Sequence, residues 1–140
     1  MLLDGEVQVS GVTNRFGPID IAPQFTMNLA QAANTYDLCT ATGGDVIIWG
    51  MNVYCTVVGA TWTSVTIQSD ATTNFVFMNA TEGARANFTA GKDVPLTWTQ
   101  VAKALIRSGN KIRYTIAGST GTGTALVTVL CQSVNGGILL

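Results

Sequence analysis

The chain contains no histidine, and of its 140 residues only seven are Lys or Arg and eight are Asp or Glu. At 11% charged residues it carries less than half of the quarter or so that soluble domains commonly spend on charge. Without histidine there is no side chain of near-neutral pKa to orient and shuttle a proton, which excludes histidine-dependent nucleophilic triads. The three cysteines, Cys39, Cys55 and Cys131, lack the short paired spacings of a zinc site. A net charge of −1 gives no electrostatic reason to expect nucleic acid or an anionic membrane as partner. It also gives little colloidal protection, so self-association is expected. What is present instead is apolar: 47% hydrophobic residues and 15 glycines, with abundant threonine and valine. A β-rich chain so poor in charge reads as one whose surface is largely covered by other protein.

The length suits one domain with a core that needs no staples. The opening Met1-Leu2-Leu3-Asp4-Gly5-Glu6 lacks the basic and long apolar stretches of a secretory signal, so the chain is expected to be made and kept in a cytosol. Its odd, widely spaced cysteines then read as reduced, buried small hydrophobes. The sequons at Asn79 and Asn87 mean little without secretion. Residues 46–69 carry no charge, but Gly50, Asn52, Gly59 and several hydroxyl residues interrupt them, and their β-branched content favours buried strands over a membrane helix. The charges that exist are unevenly placed. Lys92, Lys103, Arg107, Lys111 and Arg113 follow seven of the eight acids in sequence. Two oppositely biased surfaces meeting between neighbouring subunits is one reading, and ordinary solvation is the other.

Residues 13–34 hold Gly17, Pro18, Pro23 and the apolar anchors Phe16, Ile19, Ile21, Phe25, Met27 and Leu29, with no sustained helix or strand period. They read as an extended arm. Ordering its backbone costs more than six anchors return, so the arm must lie on a prebuilt surface, its own domain's or a neighbour's. From Tyr36 the period is two. Residues 36–41 lead to the turn Thr42-Gly43-Gly44-Asp45, a hairpin signal. Residues 46–58 form a long apolar strand with Gly50 and Gly59 as bulge or bend points, and 61–69 form a second strand. A short strand follows at 75–78, then a loop over 79–93 with a brief strand near Asn87-Phe88. Residues 94–106 permit a short helix, but extended chain is preferred. The cleanest alternation is 111–116, with Ile112, Tyr114 and Ile116 on one side. Gly118-Ser119-Thr120-Gly121-Thr122-Gly123 should turn it back as a hairpin onto 124–134. The apolar tail Ile138-Leu139-Leu140 suggests docking. The whole is expected to be all-β, an antiparallel β-sandwich or jelly roll of about seven or eight strands with an extended N-terminal arm. The arm comprises 1–34 and the sandwich 35–140.

Chemistry is hard to place on this chain. Cys39 lies two residues after Asp37, the wrong neighbour for lowering a thiol pKa. Eight acids allow a glycosidase pair arithmetically, but each acid reads as a solvated turn or loop residue. Asp70 with Asn74 is a weak calcium candidate for want of ligand charge. The glycines of 118–123 open no helix and are turn material, not a phosphate cradle. Trp49, Trp62 and Trp98 read first as core, then as subunit contact, and last as a sugar-stacking platform. No catalytic residue, metal or cofactor is expected, and no small-molecule substrate.

Residues 35–134 nevertheless resemble the cement or decoration proteins of tailed bacteriophages. The resembling elements are an entry strand ending in Thr42-Gly43-Gly44 and the hydrophobic strand 46–58. A threonine-rich strand closing on Ser69-Asp70-Ala71-Thr72 follows, and then a basic strand, a Gly/Thr turn and a last apolar strand over 111–134. The resemblance implies a β-sandwich or jelly roll that forms dimers or trimers, made in the host cytoplasm and bound to the capsid exterior where major capsid protein subunits meet. It carries no catalytic residues. From this sequence itself, the expected contacts with capsid or subunit are Phe16, Ile19, Ile21, Phe25, Met27, Leu29, Lys111, Arg113, Leu139 and Leu140. A dimer is favoured over a trimer because two-fold closure is commonest. The alternatives are a tail, collar or head-fibre module, and a carbohydrate-binding adhesin.

Overall fold

The computed structural model describes residues 6–9, 12–21, 24–71, 74–97 and 104–140. It is all-β. Ten strands occur there, β1 (Glu6–Val9), β2 (Val12–Ile21), β3 (Phe25–Asn28), β4 (Thr35–Thr42), β5 (Asp45–Ser69), β6 (Val76–Met78), β7 (Lys92–Asp93), β8 (Ala104–Ile106), β9 (Lys111–Val134) and β10 (Ile138–Leu139), with one 3₁₀ turn at Arg85–Asn87.

Two very long strands organise the rest. β5 and β9 pair antiparallel along their whole length, from Asp45↔Val134 to Ser69↔Ile112. The sequence pattern divides each into two strands, and expects 111–116 to turn back on 124–134. The structure corrects both points. Glycines 118, 121 and 123 bend β9 without reversing it, because β5 supplies a partner on both sides of the bend. Register slips cluster between Cys55 and Ser64, and another falls between Ile48 and Gly50, so Gly50 and Gly59 do lie at irregular points. Gly118 and Gly123 adopt φ of 97° and 130°, conformations that glycine takes without steric cost. Thr61 also has positive φ, 72°, and its hydroxyl donates to the Thr120 carbonyl at 2.5 Å.

Trp62 fills the inside of this bend. It is fully buried, its indole N–H donates to the Thr122 carbonyl at 2.8 Å, and it packs edge-to-face with Phe88 at 5.0 Å. A Cβ on Gly59 would stand 2.0 Å from Trp62 Nε1, so only glycine leaves room for the ring.

The bend divides the ribbon into two layers. In the first, the order is β10, β4, the first half of β9, the second half of β5, then β6. In the second, β2 and β3 flank the second half of β9, which pairs the first half of β5, itself flanked by β7 and β8. Period-two alternation sends one side of each strand inward. Ile112, Ile116, Val65 and Ile67 from the first layer meet Val46, Ile48, Val127, Val129 and Ile106 from the second in one core. The arrangement is sandwich-like.

Three connections depart from the sequence expectation. The Gly43-Gly44 turn does not make a hairpin: β4 pairs β9 and β10, and among the described residues no ladder joins it to β5. The turn instead carries the chain from one layer to the other. The Asn87-Phe88 region is a 3₁₀ turn, and the nearby strand is β7. In 94–106 the described part is irregular to Thr97 and then the strand β8, while 98–103, with Trp98 and Lys103, lie outside the described residues.

The arm is resolved between its two readings. β2 and β3 pair β9 of the same chain, Phe16↔Val134 through Ile21↔Leu130 and Phe25↔Val127 through Asn28↔Thr124. Pro18 sits where the register shifts between Phe16 and Ile19, a place that tolerates the missing donor. Met27 and Leu29 are fully buried, so arm and sandwich share one sheet and one core.

Gly59→Ala should lower stability by about 1–3 kcal/mol through overpacking against Trp62. Urea denaturation reads this as a lower midpoint at unchanged slope. An unchanged midpoint would show that the bend has slack.

Candidate functional site

The two layers present chemically different outer faces. On the first layer, alternation turns Thr35, Asp37, Lys111, Arg113, Thr115, Thr66 and Gln68 outward. Asp37 accepts from Lys111 Nζ and from Arg113 Nε at 2.9 Å. Arg113 also reaches Asp70 at 3.5 Å, and Asp70 accepts the Lys111 backbone N–H at 2.6 Å. The Thr35 and Thr115 hydroxyls share a hydrogen bond of 2.8 Å. The acids and bases that the sequence separates thus meet inside one chain, across the β4–β9–β5 register. Lys111 and Arg113, expected as partner contacts, are held by the chain's own carboxylates. Asp37 sits within a strand, which corrects the reading of every acid as a turn or loop residue. Asp70, the weak calcium candidate, is already engaged, and among the described residues no His, Cys, Asp and Glu group could hold a metal.

The outer face of the second layer is apolar where β2, β9, β5 and β8 lie side by side, and farther along the strands it becomes mixed, with Thr128 opposite Asn52 and Leu126 in a row with Thr26, Tyr54 and Asp93. Its side chains stand in rows across four adjacent strands. Ile19, Gln132, Ile47 and Leu105 lie opposite one another in succession from β2 to β8. Ile21, Leu130 and Gly50 form the next row, and Phe16, Val134 and Asp45 the row on the other side. Ile21 is 64% exposed, Ile19 48% and Leu130 39%, so these three project. Phe16, Ile47, Leu105 and Val134 instead line a depression of about 300 Å³, together with Asn14, Asp45 and Arg107.

Gln132 and Asp45, two of the polar groups on this face, have partners within the chain. Gln132 donates to the Gly17 carbonyl at 2.9 Å and accepts from the Trp49 indole at 3.2 Å. Asp45 accepts from Arg107 at 2.9 Å and from the Ser108 backbone N–H at 2.9 Å. Covering the face therefore removes apolar surface from water while Gln132 and Asp45 keep their partners within the chain.

The expected contact residues fall into distinct places. Phe16, Ile19 and Ile21 come together on the apolar face. Phe25 packs half-buried against the core. Met27, Leu29 and Leu139 are core residues, at most 3% exposed, and this corrects their assignment to a partner surface: each fills its own subunit's interior. Leu140 is exposed, its backbone paired with Thr40, beside a groove of about 350 Å³ between β2 and β10 lined by Pro18, Ile21, Cys131, Ile138 and Leu139. Sequence reasoning missed Ile47, Leu105, Leu130 and Val134. The signal for Ile47 and Leu130 was present, since an apolar run without alternation places apolar groups on both faces of a strand.

The remaining candidates are structural. Trp62 is core. Burial pushes the Cys39 thiol up to about 12 and also raises that of Cys55, so neither is an activated nucleophile. Among the described residues no helix is long and apolar enough to cross a membrane.

The hydrogen bond from Lys111, with that from Arg113, holds the Asp37 carboxyl below its ordinary range against the opposing effect of desolvation. A depressed folded-state pKa contributes stability that is present above the unfolded value and lost as pH falls through the folded one. Because Asp37 is 48% exposed, Asp37→Asn should cost only about 0.2–1 kcal/mol near pH 7. The gap to the wild type should close in urea titrations repeated below about pH 3, under the ordinary Asp pKa of about 3.9; a gap that persisted there would rule out the ion pair as its cause. Compared with known proteins, the chain matches no family model, no curated protein and no solved structure.

Proposed function

We propose that this chain is a non-enzymatic structural protein of a bacteriophage virion, which binds the capsid exterior and cements major capsid protein subunits. The observation that carries this reading is the outer face of the second layer. Ile19, Ile21 and Leu130 project there beside a depression lined in part by Phe16, Ile47, Leu105 and Val134, and the neighbouring Gln132 and Asp45 have partners within the chain. Such a surface is suited to adhesion, and a patch of this kind on a sheet face marks an interaction site. The sequence resemblance supplies the setting, and the low charge accords with a surface covered by protein.

The mechanism follows from linkage. A protein that binds assembled shell and not free subunits stabilises assembly by mass action. Joining copies into an oligomer raises effective concentration, so modest individual contacts suffice. The sugar-platform alternative loses Trp62, which lies in the core.

Protein quantification on purified virions should find the chain in high copy on the particle exterior, and adding it to shells that lack it should raise their disruption temperature. A handful of copies per particle would instead identify a tail, collar or fibre part. Absence from particles would end the structural reading.

A further inference from the structure

We propose that the cleft between β2 and β10 takes an extended peptide segment of another protein, which adds to β10 as a further strand of the first layer. The segment that fits it has a basic residue between two aliphatic ones. This inference stands apart from the adhesive face and does not depend on the structural reading.

The core side of the second layer is left uncovered at its β2 margin. Ile48, Cys131 and Asp20 lie opposite one another in succession from β5 to β2, on the side that faces the first layer. Ile48 is fully buried, Cys131 partly buried and Asp20 exposed. The first layer ends at β10, and beyond it lies a cleft of about 350 Å³, with Pro18, Asp20 and Cys131 on one wall and residues 138–140 on the other.

The rim of that cleft is a strand edge. Thr40 and Leu140 exchange both backbone hydrogen bonds, at 2.8 and 3.0 Å. In an antiparallel ladder the neighbouring pair then turns its N–H and C=O groups away from one another. Ala41, opposite Leu139, follows this rule and bonds Asn110 and Gly109 on its far side. Leu139 accordingly points its N–H and C=O away from β4, and among the described residues no strand pairs that edge of β10. Leu139 is 3% exposed, and a backbone donor and acceptor so sheltered are costly to leave unpaired.

The residue pattern follows from the period of two. In an added antiparallel strand, the residue opposite Leu139 exchanges both bonds with it and sends its side chain to the same inner side. Asp20 is the only charged residue lining the cleft. Among the described residues its carboxylate has no ion pair and accepts from the Ile21 backbone N–H at 2.7 Å. A lysine or arginine opposite Leu139 lays its apolar stem in the cleft and brings its charge to that carboxylate. The residues before and after it turn outward beside Ile138 and Leu140, both exposed, where aliphatic side chains make cross-strand contacts. Main-chain bonds then give affinity, and the alternate side chains give specificity.

The test is a titration of the isotope-labelled full chain, followed by amide NMR, with the blocked peptide acetyl-Thr-Val-Lys-Val-Thr-amide up to about 5 mM, the range in which so short a segment binds. The Asp20, Ile138 and Leu139 amides should shift and saturate together, and hydrogen exchange at Leu139 should slow. Replacing the peptide's lysine with glutamate, or methylating that residue's backbone nitrogen, should each weaken binding about fivefold, the equivalent of one exposed ion pair or one net hydrogen bond. In Asp20→Lys, at an exposed position, the glutamate peptide should become the better ligand.

No saturable shift, or saturable shifts confined to the amides around Ile47 and Leu105, overturns the proposal. Binding indifferent to methylation overturns strand addition, and an unchanged order of the two peptides on Asp20→Lys overturns the selection of a basic residue.

Discussion

The Trp62 indole, seated where Gly59 has no Cβ and bonded to the Thr122 carbonyl, holds the β5–β9 ribbon at its bend, and both layers inherit their geometry from that point. In a strand, a slip of one residue exchanges the inner and outer faces. The irregularities between Cys55 and Ser64 are where β9 makes that exchange: Ile112, Tyr114 and Ile116 before the bend and Ala125, Val127 and Val129 after it differ in parity, yet all point into the same core. Had the ribbon run straight, it would have left one single-layered sheet with its apolar side chains in water.

Charge is used sparingly, and mostly locally. Lys111 and Arg113 with Asp37 and Asp70, and Arg107 with Asp45, are neighbours across adjacent strands. Pairs this exposed add little stability. Their larger effect is on the character of the surface: the outer face of the first layer is polar and internally paired, while that of the second is apolar around Ile19, Ile21 and Leu130. That asymmetry, more than any single residue, is what the adhesive reading draws on.

Much of this was legible in the sequence where period and chemistry coincide. The alternation at 111–116 set Ile112, Tyr114 and Ile116 on one side, which the structure shows to be the buried one, and Gly50 and Gly59 marked irregular points of β5. Other features depend on partners that a sequence does not reveal. A Gly-Thr run such as 118–123 reverses a strand or merely bends it according to what lies alongside, and here β5 decides. The arm's aliphatic residues look alike in sequence, yet Met27 and Leu29 face the core while Ile19 and Ile21 face out, because β2 and β3 meet β9 in different registers. Lys111 and Arg113 looked available because Asp37 lies far upstream and becomes their neighbour only through the β4–β9 ladder.

Because β5 and β9 each run through both layers, the layers are joined by covalent backbone as well as by packed side chains. Tension applied between them travels along two peptide chains at the bend, and cannot be relieved simply by peeling one layer from the other. Yielding would require β4, the arm strands or the short outer strands to be sheared from their ladders, several hydrogen bonds at once. For a protein proposed to brace a container against pressure from within, that load path lets the fold outlast the contacts it makes.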